Sequence, residues 1–223
     1  RRGFRPRGKS NKMIIGIDVG GTFTDLVAVD DAGRVVIDKV PSTPHNEGQA
    51  VLNGLKNLKI PHSAVERLVH GTTVGTNAVI QRNGATVAFV TTYGFRDLLE
   101  IGRAKRVTPG TLFKPFFVRP KPLVPRSRSF EMKERTLHDG QILHPVQQGD
   151  IAELCRRIKE SGVEAVAICF LHSYANSTNE EQTERLIREA LGSICISISS
   201  SVVPEYREYE RFSTTVLNAY LQP

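Results

Sequence analysis

At 223 residues, with 39% hydrophobic, 24% charged and 7% aromatic content, the chain is long and apolar enough to bury a core, which excludes a disordered or fibrous polypeptide. Its formal net charge of +7 sits almost wholly at the start, because Arg1, Arg2, Arg5, Arg7, Lys9 and Lys12 precede a remainder in which 24 basic residues face 23 acidic ones. A remainder so nearly neutral is no generic polyanion binder, and no nucleic-acid partner is expected.

The sequence has no apolar run of the length a membrane helix needs and no secretory signal, so no membrane partner and a cytoplasmic location are expected. Cys155, Cys169 and Cys195 form no CxxC pair and are odd in number, which points to reduced thiols rather than disulfides or a zinc ribbon. Residues 1–12 read as a disordered basic leader ahead of a natural start at Met13. Gly3 to Ser10 within it matches the pattern GxxxxGK[ST]. That pattern cradles phosphate only between a strand and a helix, and here neither flanks it.

Residues 13–20 and 23–30 read as two strands and 34–40 as a third across the Asp31-Ala32-Gly33 turn. Asn46 is a candidate N-cap for a helix over 47–58, with Ala50, Val51, Leu55 and Leu58 at helical spacing. Strand and helix then alternate: 67–71, 74–82, 86–92 and 95–101. The order βββαβαβα predicts a mixed sheet with helices packed on it, closing one unit over 13–101. Prolines at 109, 115, 120, 122 and 125 mark 102–128 as a connection. A second α/β segment is expected over 129–203, with strands at 129–136, 141–143, 164–171 and 194–199 and helices at 148–161 and 179–191. A last helix over 204–223 carries Tyr206, Tyr209, Phe212, Val216, Leu217 and Tyr220 near one stripe, expected to pack on polypeptide beyond this chain or on a second copy.

Chemistry concentrates at two strand ends. In Asp18-Val19-Gly20-Gly21-Thr22-Phe23-Thr24, the two glycines can take positive φ and bring backbone amides to an anion, Thr22 adds a hydroxyl, and Asp18 offers a carboxylate to hydrated Mg²⁺. An ordinary Gly-Gly hairpin is the plain alternative. His70-Gly71-Thr72-Thr73-Val74-Gly75-Thr76-Asn77 ends a strand and begins a helix, where free amides favour a second anion or where a threonine simply caps. His70, His138 and His144 lack partners at metal spacing.

The segments GIDVGGTFTDLV, HGTTVGTNAVIQRNGA, TTYGFRDLLEIGR, LVPRSRSFEMKER and PEYREYERFSTTVLNAYLQP, in this order, resemble the N-terminal part of the hydantoinase/oxoprolinase family over residues 13–223. The resemblance implies the ribonuclease-H-like half of the actin, hexokinase and heat-shock ATPase superfold, and an ATP-dependent hydrolase of cyclic amides of the hydantoin or 5-oxoproline type. An ATP-dependent ketone carboxylase subunit is the alternative, and a non-catalytic nucleotide-binding assembly module a third. By the same likeness Gly20, Gly21, Thr22 and Thr24 hold the phosphates of ATP, Asp18 orients Mg²⁺ through water, and Thr72, Thr73 and Asn77 line the reacting end. Arg103 is the candidate substrate contact, with Arg82, Arg96 and Arg119 competing, and Ala104 stands where the family pattern carries Gln. The implied partners are a C-terminal half of the same protein, a second hydantoinase-type subunit or domain, and a small cyclic-amide substrate.

Overall fold

The computed structural model describes residues 12–43, 46–103, 116, 118 and 120–223. Most of the basic leader, with its GxxxxGK[ST] pattern, and residues 104–115 of the proline-rich connection lie outside them. The chain divides into two compact units, one ending at Gln81 and the other running from Arg82 to Pro223.

In the first unit β1 (Met13–Val19), β2 (Phe23–Asp30), β3 (Val35–Pro41) and β4 (Val65–Thr72) form one sheet in the order β3-β2-β1-β4. The first three strands are an antiparallel meander, and β4 lies parallel to β1. Period-2 alternation sends Ile15, Ile17 and Val19, with Leu26 and Ala28, to one buried face. Helix α1 (Glu47–Leu58) covers that face with Ala50 and Leu58. Gly54 permits the close approach, since a Cβ there would lie 2.2 Å from Leu26 Cδ1. Asn46 occupies the N-cap position, but its side chain makes no capping bond. Helix α2 (Val74–Gln81) follows β4 directly.

In the second unit β5 (Val87–Thr92), β6 (Ser129–Met132), β9 (Ala165–Cys169) and β10 (Cys195–Ile198) form a wholly parallel sheet in the order β10-β9-β5-β6. A small antiparallel pair, β7 (Arg135–Thr136) and β8 (Ile142–His144), follows β6. Helix α4 (Gln148–Glu160) packs Ile151, Leu154, Cys155 and Ile158 onto one face, helped by Ile187 of α5 (Thr178–Leu191). Helix α7 (Glu208–Leu221) covers the other face, with the Phe212 ring 5.8 Å from that of Phe89. Short helices α3 (Leu98–Ile101) and α6 (Ser199–Val202) complete the unit.

Three expectations change here. The first unit ends at 81 rather than 101, because Val87–Thr92 is buried at every position and pairs on both sides with parallel strands instead of joining the meander. Residues 129–203 and 204–223 belong to one unit, not two. The terminal stripe is not left for another polypeptide: Phe212, Val216 and Tyr220 are buried in this unit, and of the aromatic stripe Tyr206 stays widely exposed.

Candidate functional site

The β1–β2 turn is held by its own backbone and by a serine from the next strand's end. Gly20 N–H donates to Phe23 O at 3.0 Å. Ser42 N–H donates to Thr22 O at 2.9 Å, and Ser42 Oγ donates to Gly20 O at 2.7 Å. Pairing of Phe23 with Pro41 is what carries Ser42 there, so nothing local in the turn sequence announces it. Neither Gly20 nor Gly21 takes the positive φ that the turn sequence suggests. Their need is steric: a Cβ on Gly20 would sit 2.9 Å from Phe23 O, and one on Gly21 would sit 3.1 Å from Asn77 Nδ2.

Parallel pairing of β1 with β4 brings the second strand end alongside, matching Asp18 with Gly71 and Val19 with Thr72. A Cβ on Gly71 would lie 3.8 Å from Asp18 Oδ1, so the carboxylate stands over bare backbone. Thr73 N–H donates to Val19 O at 3.2 Å, tying the α2 junction to the turn. Thr72 Oγ1 accepts from Val74 N–H at 3.2 Å in a local turn ahead of α2, and Asn77 Nδ2 approaches Thr73 Oγ1 at 3.5 Å. Asp18, Gly21, Thr22, Thr72 and Thr73 are exposed and Asn77 half-buried, so one open surface gathers them. Thr24 is fully buried, and its hydroxyl shares a 3.0 Å hydrogen bond with Ser42 Oγ. It braces the turn from behind and does not line that surface.

Charge at the site is sparse. Asp25, opposite Asp18 on the sheet, is ion-paired with Lys39 at 2.8 Å. Among the described residues no salt bridge engages Asp18 and no cluster of three His, Cys, Asp or Glu forms a metal cage. One uncommitted carboxylate beside exposed glycine backbone fits a hydrated Mg²⁺ better than a fully protein-ligated ion.

Arg103 lies in the second unit and pairs with Glu210 on α7, whose carboxyl that hydrogen bond holds below its usual range. Arg96 donates to Arg126 O and Arg82 to Lys121 O, while Arg119 lies outside the described residues.

Sequence reasoning missed a buried polar network in the second unit. Glu180, fully buried, accepts from Phe170 N–H at 2.7 Å, Ser199 Oγ at 2.6 Å and Ser200 N–H at 2.8 Å. Arg211, equally buried, donates from Nε to Ser199 Oγ at 3.1 Å, from Nη1 to Glu205 O at 2.8 Å and from Nη2 to Phe170 O at 2.9 Å. Nearby, Glu134 accepts from Thr92 Oγ1 and, at 2.8 Å, from Asn179 Nδ2. Burial is the main reason its carboxyl rises to about 7, against the lowering effect of those two bonds. The available signal was Arg211 standing four residues before Thr215 and beside Phe212, inside the stripe that buries α7.

A model of the hydantoinase/oxoprolinase N-terminal region matches residues 14–191. An uncharacterised protein of Methanocaldococcus jannaschii is 39% identical over 213 residues, covering 94% of this chain and 31% of its own length. The caprolactamase alpha subunit of Pseudomonas jessenii is 36% identical over 217 residues, with 94% and 31% covered. A crystal structure of ATP-dependent caprolactamase from that organism superposes with a TM-score of 0.83 at 35% identity, over 94% of this chain and 31% of the other. A nucleotide-free acetone carboxylase structure superposes with a TM-score of 0.86 at 28% identity, over 95% and 32%. The chain therefore spans under a third of the length of these relatives, and it belongs to the hydantoinase/oxoprolinase family.

Proposed function

We propose that this member of the hydantoinase/oxoprolinase family supplies the phosphate-binding part of an ATP-dependent hydrolase of cyclic amides. The observation that carries the reading is the convergence of the Gly20-Gly21-Thr22 turn and the Thr72–Asn77 junction around Asp18. The strand order β3-β2-β1-β4 with α1 on one face supports a ribonuclease-H-like half of the actin-like superfold. ATP dependence is named for the caprolactamase and acetone carboxylase relatives.

An amide carbonyl is a poor electrophile, and phosphorylating its oxygen converts it into an imidate phosphate that water can attack. The amide oxygen bonds to the γ-phosphorus as the bond to the bridging oxygen breaks and ADP leaves. Water adds at the carbon, the C–N bond breaks so that the ring opens to an amine and an acyl phosphate, and a second water hydrolyses that acyl phosphate to carboxylate and inorganic phosphate. Such transfer needs positioning and charge neutralisation more than covalent help. Backbone at Gly20 and Gly21, with the Thr22 hydroxyl, holds phosphate oxygens where no Cβ intrudes. Asp18 would hold Mg²⁺ through its water shell, and the ion would supply neutralisation of the developing charge. Thr72, Thr73 and Asn77 face the reacting end. The remaining polypeptide of a longer protein closes the site, with a second hydantoinase-type subunit or domain as a further partner.

Calorimetric titration of Mg²⁺-ATP into residues 13–223 and into the Asp18→Asn variant tests the site. Mg²⁺-dependent binding weakened at least about tenfold by the substitution, roughly 1.4 kcal/mol, is expected. Unchanged binding would refute the role of Asp18. A ketone carboxylase subunit is the second reading, favoured by the superposition on acetone carboxylase. Bicarbonate dependence of ATP cleavage by the full-length protein separates the two.

A further inference from the structure

The two sheets differ in how they are covered. That of the second unit carries α4 and α5 on one face and α7 on the other, whereas among the described residues of the first unit only the face bearing Ile15, Ile17, Val19, Leu26 and Ala28 is covered, by α1. Register resolves the opposite face of the first sheet into three rows. Lys39, Asp25, Asp18 and Gly71 form a polar row at the phosphate-turn end. Behind it run Ile37, Val27, Gly16 and Val69, then Val35, Val29, Ile14 and Arg67. Ile37 is 69% exposed, Val35 55%, Val69 53% and Ile14 47%. Solvent-facing positions of a half-covered sheet are ordinarily polar, and contiguous apolar rows mark a buried face.

Gly16 gives an independent indication. It sits in a central strand without positive φ, and a Cβ there would meet only Val27 O at 3.9 Å. Nothing among the described residues requires glycine at that point, and glycine inside a strand often stands where a ligand or another backbone approaches closely. On the covered face the corresponding device is Gly54 against Leu26.

We propose that these two apolar rows are a docking face covered, in the full-length protein, by polypeptide that follows Pro223. The occupant is argued from length: the matched relatives and superposed structures extend to about three times this chain. The proposal rests on the view, taken above, that the site works within a longer polypeptide, but nucleotide binding is not its readout, so the two fail separately.

Hydroxyl-radical footprinting of Ile14, Val27, Ile37 and Val69 is compared between the 223-residue chain and the full-length protein. Labelling of these residues in the short chain and a loss of at least about tenfold in the full-length protein are expected, as for surface passing into a core. Equal labelling in both overturns the proposal. So does protection that appears in the short chain as its concentration rises with a doubling of mass by light scattering, which would make a second copy the occupant, or a gene product that ends at Pro223. Gly16→Val supplies the second arm. The midpoint of thermal unfolding is expected to hold or rise in the short chain, given the strand preference of valine, and to fall in the full-length protein. No fall in the full-length protein counts against close backbone approach at this position and overturns the docking face as drawn.

Discussion

A Cβ at position 20 would lie 2.9 Å from the Phe23 carbonyl oxygen, and backbone on both sides leaves little room to yield. Gly20→Ala is therefore expected to destabilise the first unit by about 1–3 kcal/mol, the usual cost of overpacking, read as a lower urea midpoint. Glu134 makes a different prediction, because burial lifts its carboxyl to about 7 from an ordinary value of 4.5. The folded chain keeps a proton there that the unfolded chain releases. Stability from this group is full below about pH 4.5, declines through the window and is lost above about pH 7, on the order of 3 kcal/mol in all. Denaturant midpoints from pH 4.5 to 7.5 check it, and Glu134→Gln is expected to remove this group's share of the slope.

At the scale of elements, α7 is held by more than its apolar stripe. Arg211 reaches Ser199, Phe170 O and Glu205 O, while Glu180 gathers Ser199 and two backbone amides from the other side. Removing Arg211 takes away the cation beside Glu180 and leaves Phe170 O and Glu205 O without that donor, so Arg211→Ala is expected to cost about 3–5 kcal/mol in the second unit. Arg211→Met, which keeps much of the volume, is expected to be as damaging while Glu180 is in place, and the double variant with Glu180→Met is expected to recover part of the loss. A double-mutant cycle by urea unfolding measures that recovery. Most strands and helices of both units were legible from periodicity within a few residues, α1 over 47–58 among them, but the strand expected at 129–136 divides into β6 and β7 of separate sheets and α6 was not anticipated. Partnership between them was not. VAFVTT reads as a strand at once, but that it leaves the meander for a parallel sheet depends on pairing with SFEM at 129–132 and AVAIC at 165–169, which are distant in sequence. For the same reason the turn at Gly20-Gly21 was legible and its brace Ser42 was not, and for Arg211 the one sign of its fully buried site was its place inside the stripe of α7.

Across the whole molecule the charge is divided sharply between a leader of six basic residues and a nearly neutral remainder. Any retention on immobilised DNA is accordingly expected to vanish when residues 1–12 are removed, with a salt dependence that disappears alongside it. Survival of DNA affinity after that deletion would place a basic surface elsewhere in the chain. Chemistry is expected to divide in a comparable way. The phosphate turn, its threonines and Asp18 all lie in the first 81 residues, and transfer to an amide oxygen needs the nucleotide enclosed and the acceptor held in line. A chain that spans 31% of the caprolactamase alpha subunit it resembles is expected to bind Mg²⁺-ATP weakly and to cleave it no faster than the Asp18→Asn variant. Phosphate release measured on the wild-type chain and that variant, each with and without a lactam, tests this. Lactam-stimulated release by the wild-type chain alone, at a rate typical of an intact enzyme, would mean that these 223 residues already hold a complete active site.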